Sequence, residues 1–187
     1  MISPDWNFIE SLEGFETRGY VPKDASGKPL GQSGVTIGSG VDLGHWPVTS
    51  LRRRKVPEPI IEKVAPYCGL RGWDAVHALV IPLVLTEDEA RRITRTIQGD
   101  IVDAVRARYD RTSKIALSFI PQQAQTVLIS VAFQYGANLA KRTPKFWRAM
   151  TTQDWQAAVH ELENFGDAYP SRRRREAKYL KDLIWQR

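Results

Sequence analysis

The sequence predicts an α+β fold, with a small N-terminal β-lobe, a larger all-helical lobe and a ligand cleft between them. Three observations carry this expectation. Turn residues and β-branched runs are confined to about residues 15–42, and everything after them reads as helix. The stretch "TEDEARRITRTIQGDIVDAVRARYD" then keeps helical periodicity for about six turns, long enough to join two lobes. A single domain over residues 1–187 follows, with a β-lobe at about 14–55. The helical lobe takes about 56–187 plus a first helix at 3–13.

The elements are justified in chain order. Ser3-Pro4 reads as N-cap and first-turn proline of a helix of about ten residues that Gly14 ends. "TRGYV" and "SGVTIGSGV" are short β-type runs, separated by the turn-dense "PKDASGKPLGQ", and suggest a hairpin or three-stranded sheet. "SLRRRK" and "PEPIIEKVAPYCG" are short helices punctuated by proline. Thr86 and Glu89 form a capping box at the head of the long helix. Further helices read at "PQQAQTVLISVAFQYG", "TPKFWRAM", "TQDWQAAVHELENF" and "SRRRREAKYLKDLIW". The first of these four is apolar nearly all round, as a central core helix should be.

Composition narrows the function class. With 42% hydrophobic residues and six tryptophans the chain can bury a core. A net charge of +6 favours an anionic partner: nucleic acid, an anionic membrane face or a wall polymer. Cys68 is the only cysteine, which excludes an internal disulfide and a thiolate metal site. The three histidines, His45, His77 and His160, are scattered, so no metal and no cofactor is expected. "MISPDWNFIE" lacks a basic start followed by an apolar run, and no Sec-type signal peptide is expected. No apolar stretch approaches the roughly 20 residues of a membrane span.

Two features suggest chemistry. On a wheel of about 100° per residue, Glu13 falls within the apolar arc of Ile2, Trp6, Phe8, Ile9 and Leu12. A carboxyl held there should have its pKa raised, as a general acid near neutral pH requires. The second feature is "TIGSGVDLGH", where Thr36 opens a run containing Gly38, Gly40, Asp42 and Gly44. Its glycines allow close approach of backbone to a ligand. They do not match a dinucleotide fingerprint or a phosphate loop, and no histidine lies beside a nucleophile elbow. A carboxylic acid facing a second carboxylate does fit, and glycoside hydrolysis uses that pair. The second carboxylate is Asp24 or Asp42, and the Thr36 hydroxyl is placed to orient a water.

These residues resemble a known family. "SLEGFETRGYVPKD" and "GVTIGSGVDLG" are similar to the catalytic glutamate helix and Thr-Ile-Gly-x-Gly strand of phage-type lysozymes, the muramidases of glycoside hydrolase family 24. "LTEDEA", "VAFQYG", "DWQAAVHEL" and "YPSRRRREA" follow in the family's order, so the resemblance spans nearly the whole chain. Most of that family carry the aspartate between glutamate and threonine, where Asp24 lies here. The spacing Glu13–Thr36–Asp42 instead resembles the pesticin-like branch, with its aspartate after the threonine.

The resemblance implies a lysozyme-like fold and an inverting muramidase cutting the β-1,4 bond between N-acetylmuramic acid and N-acetylglucosamine. Glu13 would be the acid, Asp42 with Thr36 the water-positioning base, and Asp24 the rival base. The two catalytic carboxyls would lie roughly 6.5–9.5 Å apart. Tyr20 and Gln134 would contact sugar, and Arg172 (or Arg173, one register on) would pair with the glutamate. The remaining arginines of the run read as a solvated face. The partner is peptidoglycan, with no nucleic acid expected, a monomeric state, and some anionic membrane or outer-layer contact through the basic amphipathic C-terminus. The expected setting is an endolysin made in the host cytoplasm and released to the periplasm through a holin. The alternatives are the catalytic domain of a bacteriocin or secreted antibacterial effector, and a nucleic-acid- or glycan-binding module without catalysis.

Overall fold

The computed structural model describes residues 2–185, with the backbone alone for 184 and 185. The fold is α+β: 62% of the chain is helical and the sheet has three antiparallel strands. The chain divides into two compact units. One comprises Glu13–Gly99, and the other the residues up to Leu12 together with those from Asp100 onward. The sheet's unit therefore runs to Gly99, past the limit near residue 55 expected for the β-lobe.

In the unit Glu13–Gly99, strands β1 (Glu16–Tyr20), β2 (Thr36–Gly38) and β3 (Val41–Asp42) lie in that order. The turn between β2 and β3 uses Gly38 and Gly40 at φ 60° and 77°, a region that favours glycine. A Cβ at Gly38 would stand 2.2 Å from the Thr94 hydroxyl, so this turn packs directly on the long helix α5 (Glu87–Thr112). On its other edge β1 is extended by the chain at 83–85. Gly19 donates to the Leu83 carbonyl at 2.9 Å and Leu85 to that of Thr17 at 2.9 Å. Val35, Ile37, Val41 and Leu43 form the core under the sheet with Leu83, Leu85 and Ile93. Three short helices complete that core: α2 (Val48–Arg53), α3 (Glu58–Val64) and α4 (Gly72–Ala78). The capping box forms as expected: Thr86 donates its amide to the Glu89 carboxylate at 2.9 Å, and the Glu89 amide donates to the Thr86 hydroxyl at 3.2 Å.

The other unit is built around α6 (Gln122–Tyr135), buried without break from Ala124 to Ala132. Around it pack α1 (Trp6–Glu13, of which all but Glu13 belongs here), α7 (Leu139–Arg142), α8 (Pro144–Thr151), α9 (Trp155–Glu163) and α10 (Pro170–Trp185). Helix α1 starts later than expected. Asp5, not Ser3, is its cap, accepting from the Phe8 amide at 3.0 Å. Ser3 instead donates its amide to the Gln125 side chain at 2.8 Å. The apolar face of α10 is taken up internally: Ala177 and Leu180 are in the core, with Tyr179 and Leu183 packed against it. The side chains of Ile184 and Trp185, at the end of the sequence-predicted helix, lie outside the described residues.

Candidate active site

Pairing across the sheet sets three of the sequence-selected residues in one row. Tyr20 on β1 is opposite Thr36 on β2, and Thr36 is opposite Asp42 on β3. Directly opposed residues of antiparallel strands project from the same face, so all three side chains share it. Ile37 and Val41, paired one step along, point to the other face and into the core.

The Asp42 carboxylate is fixed by the backbone it follows. It caps the 3₁₀ turn Leu43–His45, with Oδ1 accepting from the Gly44 amide at 2.8 Å. The Gly34 amide donates to the same oxygen at 3.0 Å and, more weakly, to Oδ2 at 3.2 Å. His45 Nδ1 lies 3.3 Å from Oδ2. A Cβ on Gly34 would stand 2.4 Å from Oδ1, and one on Gly44 would stand 3.0 Å from it and 2.8 Å from the Leu70 carbonyl. Both positions must therefore be glycine for the carboxylate to seat. Gly34 also accepts from the Thr36 hydroxyl, at a long 3.4 Å, so a single peptide segment touches both members of the pair. Thr36 is buried, and a quarter of the Asp42 side chain reaches solvent.

The remaining residues of this unit fall into place around the sheet. Glu13 is the half-buried last residue of α1, followed at once by Gly14 at φ 76°, which ends the helix. Tyr20 is 41% exposed, and its phenol is pushed up by burial and, secondarily, by the Glu16 charge. Asp24 is fully exposed and engaged in holding a turn. Its Oδ1 accepts from the Ser26 hydroxyl at 2.7 Å and from the Ser26 and Lys28 amides at 2.8 and 3.1 Å. These bonds, led by that of the hydroxyl, hold its carboxyl below the usual carboxylate range.

Gln134 and the arginines lie in the other unit, in a buried network of their own. Glu176 is completely buried at its centre. Arg172 donates from Nε to Glu176 Oε1 at 3.1 Å, and the Ser130 hydroxyl donates to the same oxygen at 2.5 Å. Arg173 bonds the other Glu176 oxygen, donates to Asp167 at 2.8 Å and bonds the Gln134 side-chain oxygen. The Tyr135 hydroxyl donates to Asp167 at 2.7 Å. Burial alone would raise the Asp167 carboxyl, but the bonds from Tyr135 and Arg173 outweigh it and hold the group low. Gln134, expected on a sugar-facing surface, is thus a partner of Arg173. Arg174 and Arg175 form the exposed part of the run. Sequence reasoning missed Gly34, His45, Asp167 and Glu176. Only His45, three residues after Asp42 and bounding the same turn, carried a local signal.

Comparison with known proteins identifies one family over most of the chain. The family described as "Pesticin: Bacterial toxin homologue of phage lysozyme, C-term" matches residues 3–156. That span contains Glu13, Tyr20, Thr36, Asp42 and Gln134 and stops short of Arg172. No curated protein matches the chain significantly. With the greater part of its length matched, the chain belongs to the pesticin family of bacterial toxin homologues of phage lysozyme.

Proposed function

We propose that the protein is an inverting muramidase that cleaves the β-1,4 bond between N-acetylmuramic acid and N-acetylglucosamine in peptidoglycan. Membership in a lysozyme-homologous family implies glycoside hydrolase activity in general and action on peptidoglycan. The bond, the stereochemistry and the residue roles are the proposal. Glu13 protonates the glycosidic oxygen as the bond to the anomeric carbon breaks. A water held by the Thr36 hydroxyl and Asp42 attacks that carbon from the opposite face, and Asp42 takes its proton. Tyr20, next in the same row, lines the sugar path.

The observation that supports this reading best is the seating of Asp42. An aspartate held by two backbone amides beside a buried threonine, with part of its side chain in solvent, suits a base that must not move. Asp24 has its carboxylate on a fully exposed turn and does not share the row. The family's description, naming a bacterial toxin, favours a toxin's catalytic domain over a holin-released endolysin. Either setting places the reaction at the cell wall.

The test is turbidity loss of outer-membrane-permeabilised Gram-negative cells. Glu13→Gln and Asp42→Asn should each lose activity by about 10²–10⁴-fold while remaining folded, and Asp24→Asn should lyse like the unaltered protein. Loss at Asp24 with retention at Asp42 would move the base to the turn. No lysis by the unaltered protein on several wall types would remove the hydrolase reading and favour a binding module.

A further inference from the structure

We infer that His45 is a positioning residue for the base, competing with the attacking water for Oδ2, the oxygen of Asp42 that the backbone holds less tightly. The inference rests on the reading of Asp42 as the base. A carboxylate oxygen has two in-plane lone pairs. On Oδ1 both are occupied, by the Gly44 amide at 2.8 Å and the Gly34 amide at 3.0 Å. These donors are held in place: Gly34 and Gly44 pack against each other, Gly44 also lies against the Leu70 carbonyl, and its own carbonyl accepts from Arg71 Nε at 3.0 Å. A proton leaving the water must therefore go to Oδ2.

Oδ2 has two neighbours. The Gly34 N–H, already nearer Oδ1, leans on it at 3.2 Å, and His45 Nδ1 stands 3.3 Å away. The histidine decides whether the last lone pair is available. An imidazolium carries a hydrogen on Nδ1 and directs it at Oδ2, closing the base. A neutral ring with its hydrogen on Nε2 presents a lone pair at Nδ1. It cannot bond a carboxylate, but both acceptors can then take the two hydrogens of one water. With 57% of its side chain exposed, His45 can also swing aside. The other charged groups set around this turn are Arg71, on the Gly44 carbonyl, and Arg54, whose guanidinium lies 4.5 Å from the Trp46 ring centroid. A guanidinium offers only donors, so the group that can change between donor and acceptor at Oδ2 is His45.

The experiment is the pH profile of muropeptide release from purified peptidoglycan, with kcat and KM separated, for the unaltered protein, His45→Ala, His45→Gln and Asp42→Asn. The unaltered protein should lose kcat on the acid side of the profile, where an imidazolium closes Oδ2. His45→Ala, with nothing to close Oδ2, should carry the acid limb at least about one pH unit lower. His45→Gln, whose amide N–H cannot be titrated away, should depress kcat about ten-fold or more at every pH with KM little changed. A structural role alone would not move the acid limb. Superimposable profiles for His45→Ala and the unaltered protein, with Asp42→Asn inactive, would overturn the inference and leave the base assignment standing. An active Asp42→Asn variant would overturn both.

Discussion

Replacing Gly34 by alanine isolates the seat of Asp42 from everything else in the fold. Gly34 does not adopt a left-handed backbone conformation, so alanine meets no φ penalty there. The cost is steric. The new methyl would stand 2.4 Å from Asp42 Oδ1, 2.5 Å from the Gly44 nitrogen and 2.6 Å from the Gly44 Cα. Two of those three atoms are backbone, and ordinary contact needs about an ångström more at each. Relief requires the Gly34 and Gly44 segments to part and release the carboxylate, which breaks amide bonds to a charged acceptor worth about 1.5–3 kcal/mol each. Partial recovery by water brings the expected net loss to about 2–4 kcal/mol, or about 5–12 °C in Tm for a chain of this length. Gly40→Ala is the control: φ is 77° but no atom lies within 4 Å of the added Cβ, so only the left-handed penalty of about 1 kcal/mol applies. Thermal unfolding and wall lysis measured on both variants decide the matter. A Gly34→Ala protein no less stable than Gly40→Ala, and still lytic, would mean that Asp42 is not locked by this peptide.

Two further outcomes follow from buried groups. Glu176→Ala should destabilise the protein by about 3–5 kcal/mol, because it leaves two buried guanidinium groups facing an empty anionic site. Glu176→Gln should cost less, since it still offers an acceptor. A shift in urea midpoint equivalent to under about 1 kcal/mol for Glu176→Ala would show that Asp167 suffices for both arginines. Burial pushes the Cys68 thiol up to about 11, so alkylation of the folded protein should stay slow through pH 9 and accelerate only above about pH 10. A folded-state pKa raised above the unfolded value contributes stability below the unfolded pKa. That contribution is lost as pH rises through the folded one, which here spans about pH 8.5 to 11. Cys68→Ser, lacking that titration, should lose less stability than the unaltered protein over this interval, and equal losses would refute the assignment.

What was legible in the sequence depended on how far away the deciding contact lay. The capping box at Thr86 and Glu89 is complete within four residues, and the structure forms both its bonds. The three short strands are written in β-branched runs and turn glycines, and they form. The start of α1 was misread because Ser3 and Asp5, flanking Pro4, are both good caps. The choice falls to Gln125 and Thr126, which take the amides of Ser3 and Asp5 from more than 120 positions away. Helix α4 gave no signal: it opens on Gly72 at φ 56°, and "GWDAVHA" has neither a capping side chain nor a strong helical start. The arginine run shows the limit most clearly. Four consecutive cations by themselves suggest a solvated face, and only the family resemblance set Arg172 or Arg173 apart. Yet Arg172 and Arg173 are buried, because Ser130 and Gln134, about forty residues upstream, meet them and Glu176 follows on the same helix.

In the proposed mechanism the Asp42 side chain acts both as a fold element and as the base. Its two oxygens divide the duties. Oδ1 ties the loop before β2 to the turn after β3, while Oδ2, aside from a weak share of Gly34, lies beside His45. An asparagine can present its carbonyl oxygen to both amides, so the loop closure survives, but its NH₂ stands where Oδ2 did and cannot accept a proton. An alanine loses both duties and leaves two buried amides without an acceptor. The same residue therefore separates architecture from chemistry. If Asp42→Asn melts like the unaltered protein yet fails to hydrolyse peptidoglycan, while Asp42→Ala is also destabilised, catalysis resides in Oδ2. If the two variants are equally destabilised and equally inactive, the loss of activity reports only a collapsed loop.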